Sequence, residues 1–385
     1  MSTLFIHGSA DLYGSAKILL QIVGICVEEN EEVVVVLPHG GVLVSQLEGL
    51  GAIVYVVNIG VLRRRYFTPW GMLGRLILWI YASFKLRNLI REHHVSKIYV
   101  NSVNVVIGPL LKRITRLPLI WHLHEIVENP SVLKMVLTKL ITQADLVIAV
   151  SSATRDFWLS QSKELDIKLL YNGIDCSAYK GACDLLEVEF PFTLKKEKNT
   201  VIIGMIGRVQ PWKGQSYFLD IMKSFLSNYK SDSTPVYAVI IGDPYPGYEH
   251  YASELTLEIE KKGLSQKVFY LGYRDDIPAI LASIDLLVVS SILPDPLPTV
   301  ILEAMASAKP VISTRQGGAL EMVLDNKTGY FIPINDPQKS AAILQKVLAR
   351  QADFIQLGIN GYARVTEFFS LSAFKKSWLN LFQSL

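Results

Sequence analysis

Short apolar runs alternate with helical patterns along almost the whole chain, and this alternation restricts the fold more than any other feature. In the first half the runs are Leu4 to His7, Val33 to Leu37, Ile53 to Val57, Ile98 to Val100, Leu119 to His122 and Leu146 to Val150. Helical patterns fall between them at Lys17 to Glu28, Leu43 to Leu50, Gly71 to His93, Val105 to Arg116 and Val132 to Thr142. The runs are apolar throughout rather than at every second residue, as strands buried on both faces require. Strand and helix in alternation then predict a parallel sheet covered by helices on both sides.

A second series begins after a change of composition. Tyr179 to Thr200 contains Pro191 and the polar run Lys195-Lys-Glu-Lys-Asn-Thr200. Beyond it the runs are Val201 to Ile206, Val236 to Ile241, Val268 to Leu271, Leu286 to Val289, Pro310 to Ser313 and Tyr330 to Ile332. The expected organisation is a first doubly wound, Rossmann-like domain over 1–180, a linker over 181–200 and a second such domain over 201–370. A C-terminal helix over 371–385 carries Phe374, Trp378, Leu379 and Phe382 on one stripe. A length of 385 residues suits two domains, and with half the residues hydrophobic there is material for two cores.

The segment Pro294 to Pro310 carries the most chemistry. Its three closely spaced prolines, Pro294, Pro296 and Pro298, forbid regular structure, and a helix can start from Thr299. The N–H groups of that first turn, at Thr299 and Val300, form a place for an anion. Asp295 precedes the helix and Glu303 lies on it, eight residues later. A second loop, Gly207-Arg208-Val-Gln-Pro-Trp-Lys213-Gly214, follows a strand, and its two cations can converge on a diphosphate. Ile240-Ile-Gly242-Asp243 and Leu271-Gly-Tyr273-Arg274-Asp-Asp276 close two further strands of that domain. In the first half, Trp121-His-Leu-His124-Glu125 ends a strand, with His122 and His124 on one face.

Together these motifs resemble the GT-B glycosyltransferases of retaining family 4, over nearly the whole chain. Asp295 stands where that family usually has its first Glu, Pro298 where it often has Gly, and Glu303 is its second Glu. The resemblance implies two Rossmann-like domains facing across a cleft, with the last helix crossing back to the first domain. It implies a sugar moved from a nucleotide diphosphate to an acceptor hydroxyl on one face, without an enzymatic nucleophile. Arg208 and Lys213 would offset charge on the leaving diphosphate, Glu303 would bind the ribose, and Asp295 the donor sugar. Gly207, Gly242, Tyr273 and Arg274 would border the nucleotide, and His124 would reach the transferred sugar. The loop from Gly8 to Ser15, with Gly14, resembles the family's glycine loop beside the donor phosphates or acceptor. It is not Gly-x-Gly-x-x-Gly, which argues against a dinucleotide oxidoreductase. Gln316-Gly317-Gly318 and Tyr171-Asn-Gly-Ile-Asp175 match turns of structural role.

No metal or other cofactor is expected: His122 and His124 lack an evident third ligand, and Cys26, Cys176 and Cys183 have no metal or redox spacing. The opening residues lead directly into a strand, so no signal peptide is expected, and the apolar stretch from Leu76 to Phe84 falls short of the ~18 residues a span needs. A cytoplasmic protein is the expectation. The net charge is only +3, yet Val61 to Arg116 holds eleven Lys and Arg against Glu92 alone, 11 − 1 = +10. Phe67, Trp70, Trp79, Tyr81 and Phe84 lie among these charges. Such a window suits either an anionic membrane surface or a solvated helix face over a core; nucleic acid is disfavoured, since no binding motif accompanies the charge. The expected partners are a nucleotide-sugar donor and a glycan acceptor, lipid-linked as in bacterial envelope polysaccharides. Two alternatives are a nucleotide-sugar epimerase and a catalytically silent sugar-nucleotide binding module.

Overall fold

The computed structural model describes residues 2–12, 14–63, 66–127, 130–179, 200–229 and 234–382. The linker expected over 181–200 lies outside them, Thr200 excepted. Two compact units emerge: residues 1–173 with 374–385, and residues 174–373.

The first unit holds strands β1 (Ser2–His7), β2 (Glu32–Leu37), β3 (Ile53–Val56), β4 (Val95–Asn101), β5 (Leu119–Leu123), β6 (Leu146–Ala149) and β7 (Ile167–Leu169). They form one sheet in the order β3-β2-β1-β4-β5-β6-β7, and every pairing is parallel. Successive side chains point to opposite faces, so each run feeds two cores. Leu4, Ile6, Val34, Val36, Ile98 and Val100 enter the core on one face. Phe5, Val33, Val35, Tyr99, Ile120 and Ile148 enter the core on the other. This double burial is why the strands read as unbroken apolar runs.

The second unit holds β8 (Val201–Ile206), β9 (Val236–Ile241), β10 (Val268–Tyr270), β11 (Leu286–Val289), β12 (Val311–Thr314) and β13 (Gly329–Ile332). Their order is β10-β9-β8-β11-β12-β13, again all parallel. Phe218, Met222 and Phe225 of the Gln215–Asn228 helix pack with Leu344 and Val347 of the Pro337–Leu348 helix in its core.

Several elements depart from the sequence reading. Strand β7 and the helix Ser152–Leu159 add to the expected list. The helix expected from Val105 begins at Gly108, with Pro109 in its first turn, where a missing N–H costs nothing. The residues Ile174–Tyr179, expected in the first domain, group with the second unit. There Ile174 bridges Ser370, and the 3-10 turn Cys176–Tyr179 packs on the helix Thr299–Ala306.

The C-terminal helix Leu371–Phe382 places Phe374, Trp378 and Phe382 in the first unit's core beside Phe5 and Tyr99. Trp378 stacks on Phe382 at 4.7 Å between ring centroids and meets Tyr99 edge-on at 5.4 Å. Lys97, buried at the sheet, lies 3.8 Å over the Phe382 ring, and Lys375 pairs with Glu28 at 2.7 Å. Emptying a fully buried tryptophan site costs about 3–5 kcal/mol. Trp378→Ala should therefore lower the unfolding free energy in urea by about that amount, whereas Ile355→Ala, at an exposed helix position, should change it by less than ~0.5 kcal/mol. Equal effects from the two would show that the final helix contributes no more than surface.

Candidate functional site

Each sheet reverses its strand order once, between β1 and β4 in the first unit and between β8 and β11 in the second. Chains leaving the two strands at such a reversal depart to opposite faces, which opens a crevice at the carboxyl ends. In both units the chemically equipped residues gather there.

In the second unit, β8 runs into Gly207 and Arg208, and the 3-10 turn Pro211–Lys213 follows. Gly214 ends that turn with φ of 78°, and a Cβ there would lie 2.0 Å from the Ser290 carbonyl oxygen. Only glycine lets this loop sit against the end of β11. The loop after β11 carries Asp295, which is buried, and its carboxylate meets Lys213 Nζ at 2.5 Å. Gly317, at φ of 56°, lies so close beneath Asp295 that a Cβ would be 2.4 Å from its carbonyl oxygen. Gly318 N–H donates to that same oxygen at 2.8 Å. The turn Gln316-Gly317-Gly318 thus sets the position of the acidic loop.

The helix Thr299–Ala306 begins beside Asp295. Its N-cap is Pro298, and no side chain caps it. Thr299 and Val300 are its first two residues, so their N–H groups head the helix without a side-chain acceptor, as anion binding requires. Glu303 is half-buried one turn on, near Tyr179 of the adjoining 3-10 turn. Burial first, and then the Glu303 carboxylate, push the Tyr179 phenol above its ordinary range.

Arg208 places its guanidinium 3.4 Å over the Tyr245 ring, a stacking contact that orients the cation. Gly207 N–H donates to Ile241 and Gly242 N–H to Gly272, at 2.9 and 2.8 Å, so the ends of β8, β9 and β10 are laced together. Asp243 accepts from the Tyr270 hydroxyl at 3.0 Å. Tyr273 is 70% exposed, whereas Arg274 is held by Asp276 through two hydrogen bonds at 2.8 and 2.5 Å. Of the expected nucleotide-bordering residues, Tyr273 presents its side chain openly and Arg274 is already paired.

In the first unit, β1, β4 and β5 end side by side, with His7 paired to Asn101 and Asn101 to His122 in register. Asn101 joins the expected residues into one network. Its Nδ2 donates to the Ser15 carbonyl at 3.0 Å and to His7 Nδ1 at 2.9 Å, and its Oδ1 lies 2.7 Å from His124 Nε2. The Ser15 carbonyl can only accept, which settles the amide's orientation. Oδ1 therefore accepts, His124 carries its proton on Nε2, and its Nδ1 is left as an acceptor. Ser15 adjoins Gly14, the first residue of the helix Gly14–Glu28, so Asn101 links His124 to the glycine loop.

His122 is fully buried against the Tyr99 hydroxyl at 2.5 Å, and its ring lies 4.1 Å from that of His124. Glu125 turns back to accept from the Ser102 hydroxyl and, at 3.1 Å, from Val103 N–H. Ser102 has φ of 99°, a conformation costly for a non-glycine residue and common where a site is being shaped. Burial lowers His7 to about 4 and His122 to about 3. Burial, with His122 and His7 as neighbours, holds His124 well below its usual value, and burial raises Glu125. His124 is accordingly a neutral hydrogen-bonding group near pH 7, not an acid. Among the described residues no group of three or more His, Cys, Asp or Glu could hold a metal.

Two Rossmann-like parallel sheets in tandem, each with its polar groups at the strand-order reversal, are the architecture of the GT-B class. A family model described as Glycosyltransferase Family 4 matches residues 14–178, and one described as Glycosyl transferases group 1 matches residues 188–364. HepE from Anabaena, solved with UDP, superposes with a TM-score of 0.82 at 27% identity, covering 100% of both chains; its complex with UDP-glucose gives 0.81. The UDP-Gal:alpha-D-GlcNAc-diphosphoundecaprenol alpha-1,3-galactosyltransferase of Escherichia coli is 25% identical over 269 residues, 66% of this chain and 67% of that one. The lipopolysaccharide core biosynthesis mannosyltransferase LpsB of Rhizobium meliloti is 26% identical over 256 residues, 64% and 67% of the two chains. The chain belongs to family 4 of the GT-B glycosyltransferases, the group 1 family, and is a nucleotide-sugar glycosyltransferase.

The lowered histidines make stability depend on pH. Unfolded, His7, His122 and His124 titrate near 6.5; folded, they stay neutral to far lower pH. Their contribution is fully present above ~6.5 and is lost progressively as pH falls below it, because the unfolded chain then binds protons that the folded one does not. Glu125, raised in the folded state, acts in the opposite sense, so three histidines against one carboxyl leave a net loss on acidification. Urea midpoints should fall steadily between pH 6.5 and 4.5, and the His7 and His122 imidazole resonances should not titrate above pH 5. Titration of all histidines near 6.5 would contradict the buried network.

Proposed function

We propose that the enzyme moves a hexosyl group from a UDP-sugar to a hydroxyl of a lipid-linked glycan, with retention at the anomeric carbon. The observation that carries this reading is the Lys213–Asp295 ion pair at the β8/β11 reversal, beside a helix that no side chain caps. A cation, a row of N–H groups and two carboxylates are the recognition set for a diphosphate flanked by two sugars. Support for UDP comes from HepE, whose structures hold UDP and UDP-glucose. Support for a lipid-linked glycan comes from the E. coli relative, named for a diphosphoundecaprenol substrate, and the lipopolysaccharide setting from LpsB.

On this reading Lys213 and Arg208 meet the diphosphate, where each cation counts most as negative charge develops on the leaving group. Thr299 and Val300 offer backbone N–H groups to the same oxygens; Gly207, with open space where a Cβ would stand, leaves room for the nucleotide, and Gly242 lets the β9 end pack on the Gly207 carbonyl beside it. Glu303 accepts from the ribose hydroxyls and Tyr273 borders the base. Asp295 addresses the donor sugar once Lys213 turns toward phosphate. Asp295 is one methylene shorter than glutamate, which bears on which sugar fits. His124, neutral and fixed by Asn101, accepts from a hydroxyl of the transferred sugar through Nδ1.

Removing one well-placed donor to a developing charge typically costs about 10²–10³ in turnover. Lys213→Ala and Arg208→Ala should each lower kcat by about that factor with the fold intact. Glu303→Gln should weaken UDP-sugar and UDP alike, since both carry the ribose. The donor is found by screening nucleotide sugars for thermal stabilisation, and turnover is then measured with a polyprenyl-linked saccharide. Wild-type rates in both cation variants would remove the proposed assignment.

A further inference from the structure

We propose that the helix Pro69–Glu92 seats the first unit on an anionic lipid surface by lying in the interface with its apolar face inserted. Trp70, Leu73, Ile77, Ile80, Tyr81 and Phe84 fall within an arc of about 100° on a helix of 3.6 residues per turn. All six are exposed: Trp70 by 83%, Ile77 by 60%, Tyr81 by 65% and Phe84 by 61%. The opposite arc carries Ala82, Ser83, Leu86, Leu89 and Ile90, which are buried. The helix thus has two apolar faces, and only one belongs to the core. A row of large exposed apolar side chains on one surface marks an interaction site rather than ordinary scatter.

Charge placement identifies the occupant. At the same 3.6-residue period Lys85 falls on one flank of the exposed stripe, Arg87 on the other, and Arg91 continues it toward the C-terminal end. Glu92, the helix's only acidic residue, sits at the last position, beyond the apolar stripe. An apolar stripe bordered by cations, with a tryptophan and a tyrosine on it, is the pattern of a helix lying in a lipid interface. The helix does not span: no described helix is long and apolar enough to cross a membrane. Three other cations of the basic window are engaged within the fold, whereas Arg63, Arg113 and Arg116 are exposed and add to the positive surface. Lys97 is buried over Phe382, Lys112 pairs with Asp145 at 2.6 Å and Arg75 stacks on Tyr66. Arg64 and Arg65 lie outside the described residues. Attachment therefore depends on apolar insertion as well as charge.

Flotation of the full chain with phosphatidylglycerol vesicles and with phosphatidylcholine vesicles tests this, without any nucleotide sugar, so the outcome is independent of the transferase reading. The wild type should float with the anionic vesicles and at least tenfold less with the neutral ones. Trp70→Ser/Ile77→Ser/Phe84→Ser should lose at least tenfold even at low salt, with an unchanged unfolding midpoint because these residues are exposed. Lys85→Gln/Arg87→Gln/Arg91→Gln should lose the preference for anionic lipid. Failure of the wild type to float with either vesicle would overturn the proposal. So would flotation that the apolar triple variant retains, or a wild-type dimer in sedimentation that the triple variant dissociates, which would make the face a contact between copies.

Discussion

A parallel sheet that adds strands first to one side and then to the other must open where the direction changes, and both units depend on that opening. At β1/β4 and β8/β11 the connections part, and polar side chains can stand at the carboxyl edge of an otherwise apolar sheet. The second unit fills its opening with a cation, a buried carboxylate and a helix start. The first fills it with histidines and an asparagine. The two sets differ in charge because the surroundings differ: solvent still reaches Lys213, whereas the first unit's cluster is desolvated enough to keep its imidazoles neutral.

The Lys213–Asp295 pair has a double role. A buried carboxylate without a counter-ion is unfavourable, and so is a cation held there alone. Together they keep the loop after β8 and the loop after β11 in place before any ligand binds. Gly214 and Gly317 make this possible by letting backbone approach backbone where a side chain would collide. On the function proposed above, a bound diphosphate would supply Lys213 with another partner and release Asp295 to accept from sugar hydroxyls, so the ion pair that holds the site in advance would be the one the donor rearranges.

Much of this was legible in the sequence. The unbroken apolar strands announced sheets covered on both faces, and Arg208, Lys213, Asp295 and Glu303, singled out from the sequence, fall on the segments that follow β8 and β11 at the strand-order reversal. Strand β7 escaped notice because it is three residues long and Lys168 interrupts it. Asn101 and His7 escaped for another reason: they are ordinary residues at strand ends, and only the pairing of β1 with β4, 94 positions apart in sequence, joins them to His124. The outward face of Pro69–Glu92 was undecidable from hydropathy, since apolar residues occur on both sides of that helix. Only packing shows which set is left over.

Calorimetric titration of UDP tests the central claim most directly, because UDP carries the diphosphate and lacks the donor sugar. If Lys213 leaves Asp295 to bind the diphosphate, Lys213→Ala should weaken UDP by at least about tenfold, in line with a lost charge-assisted hydrogen bond of roughly 1.5–3 kcal/mol. Asp295→Asn should bind UDP as tightly as the wild type or more tightly, because the lysine no longer has a competing carboxylate. Equal weakening by the two substitutions would contradict the account, showing the pair to act only as a structural tie.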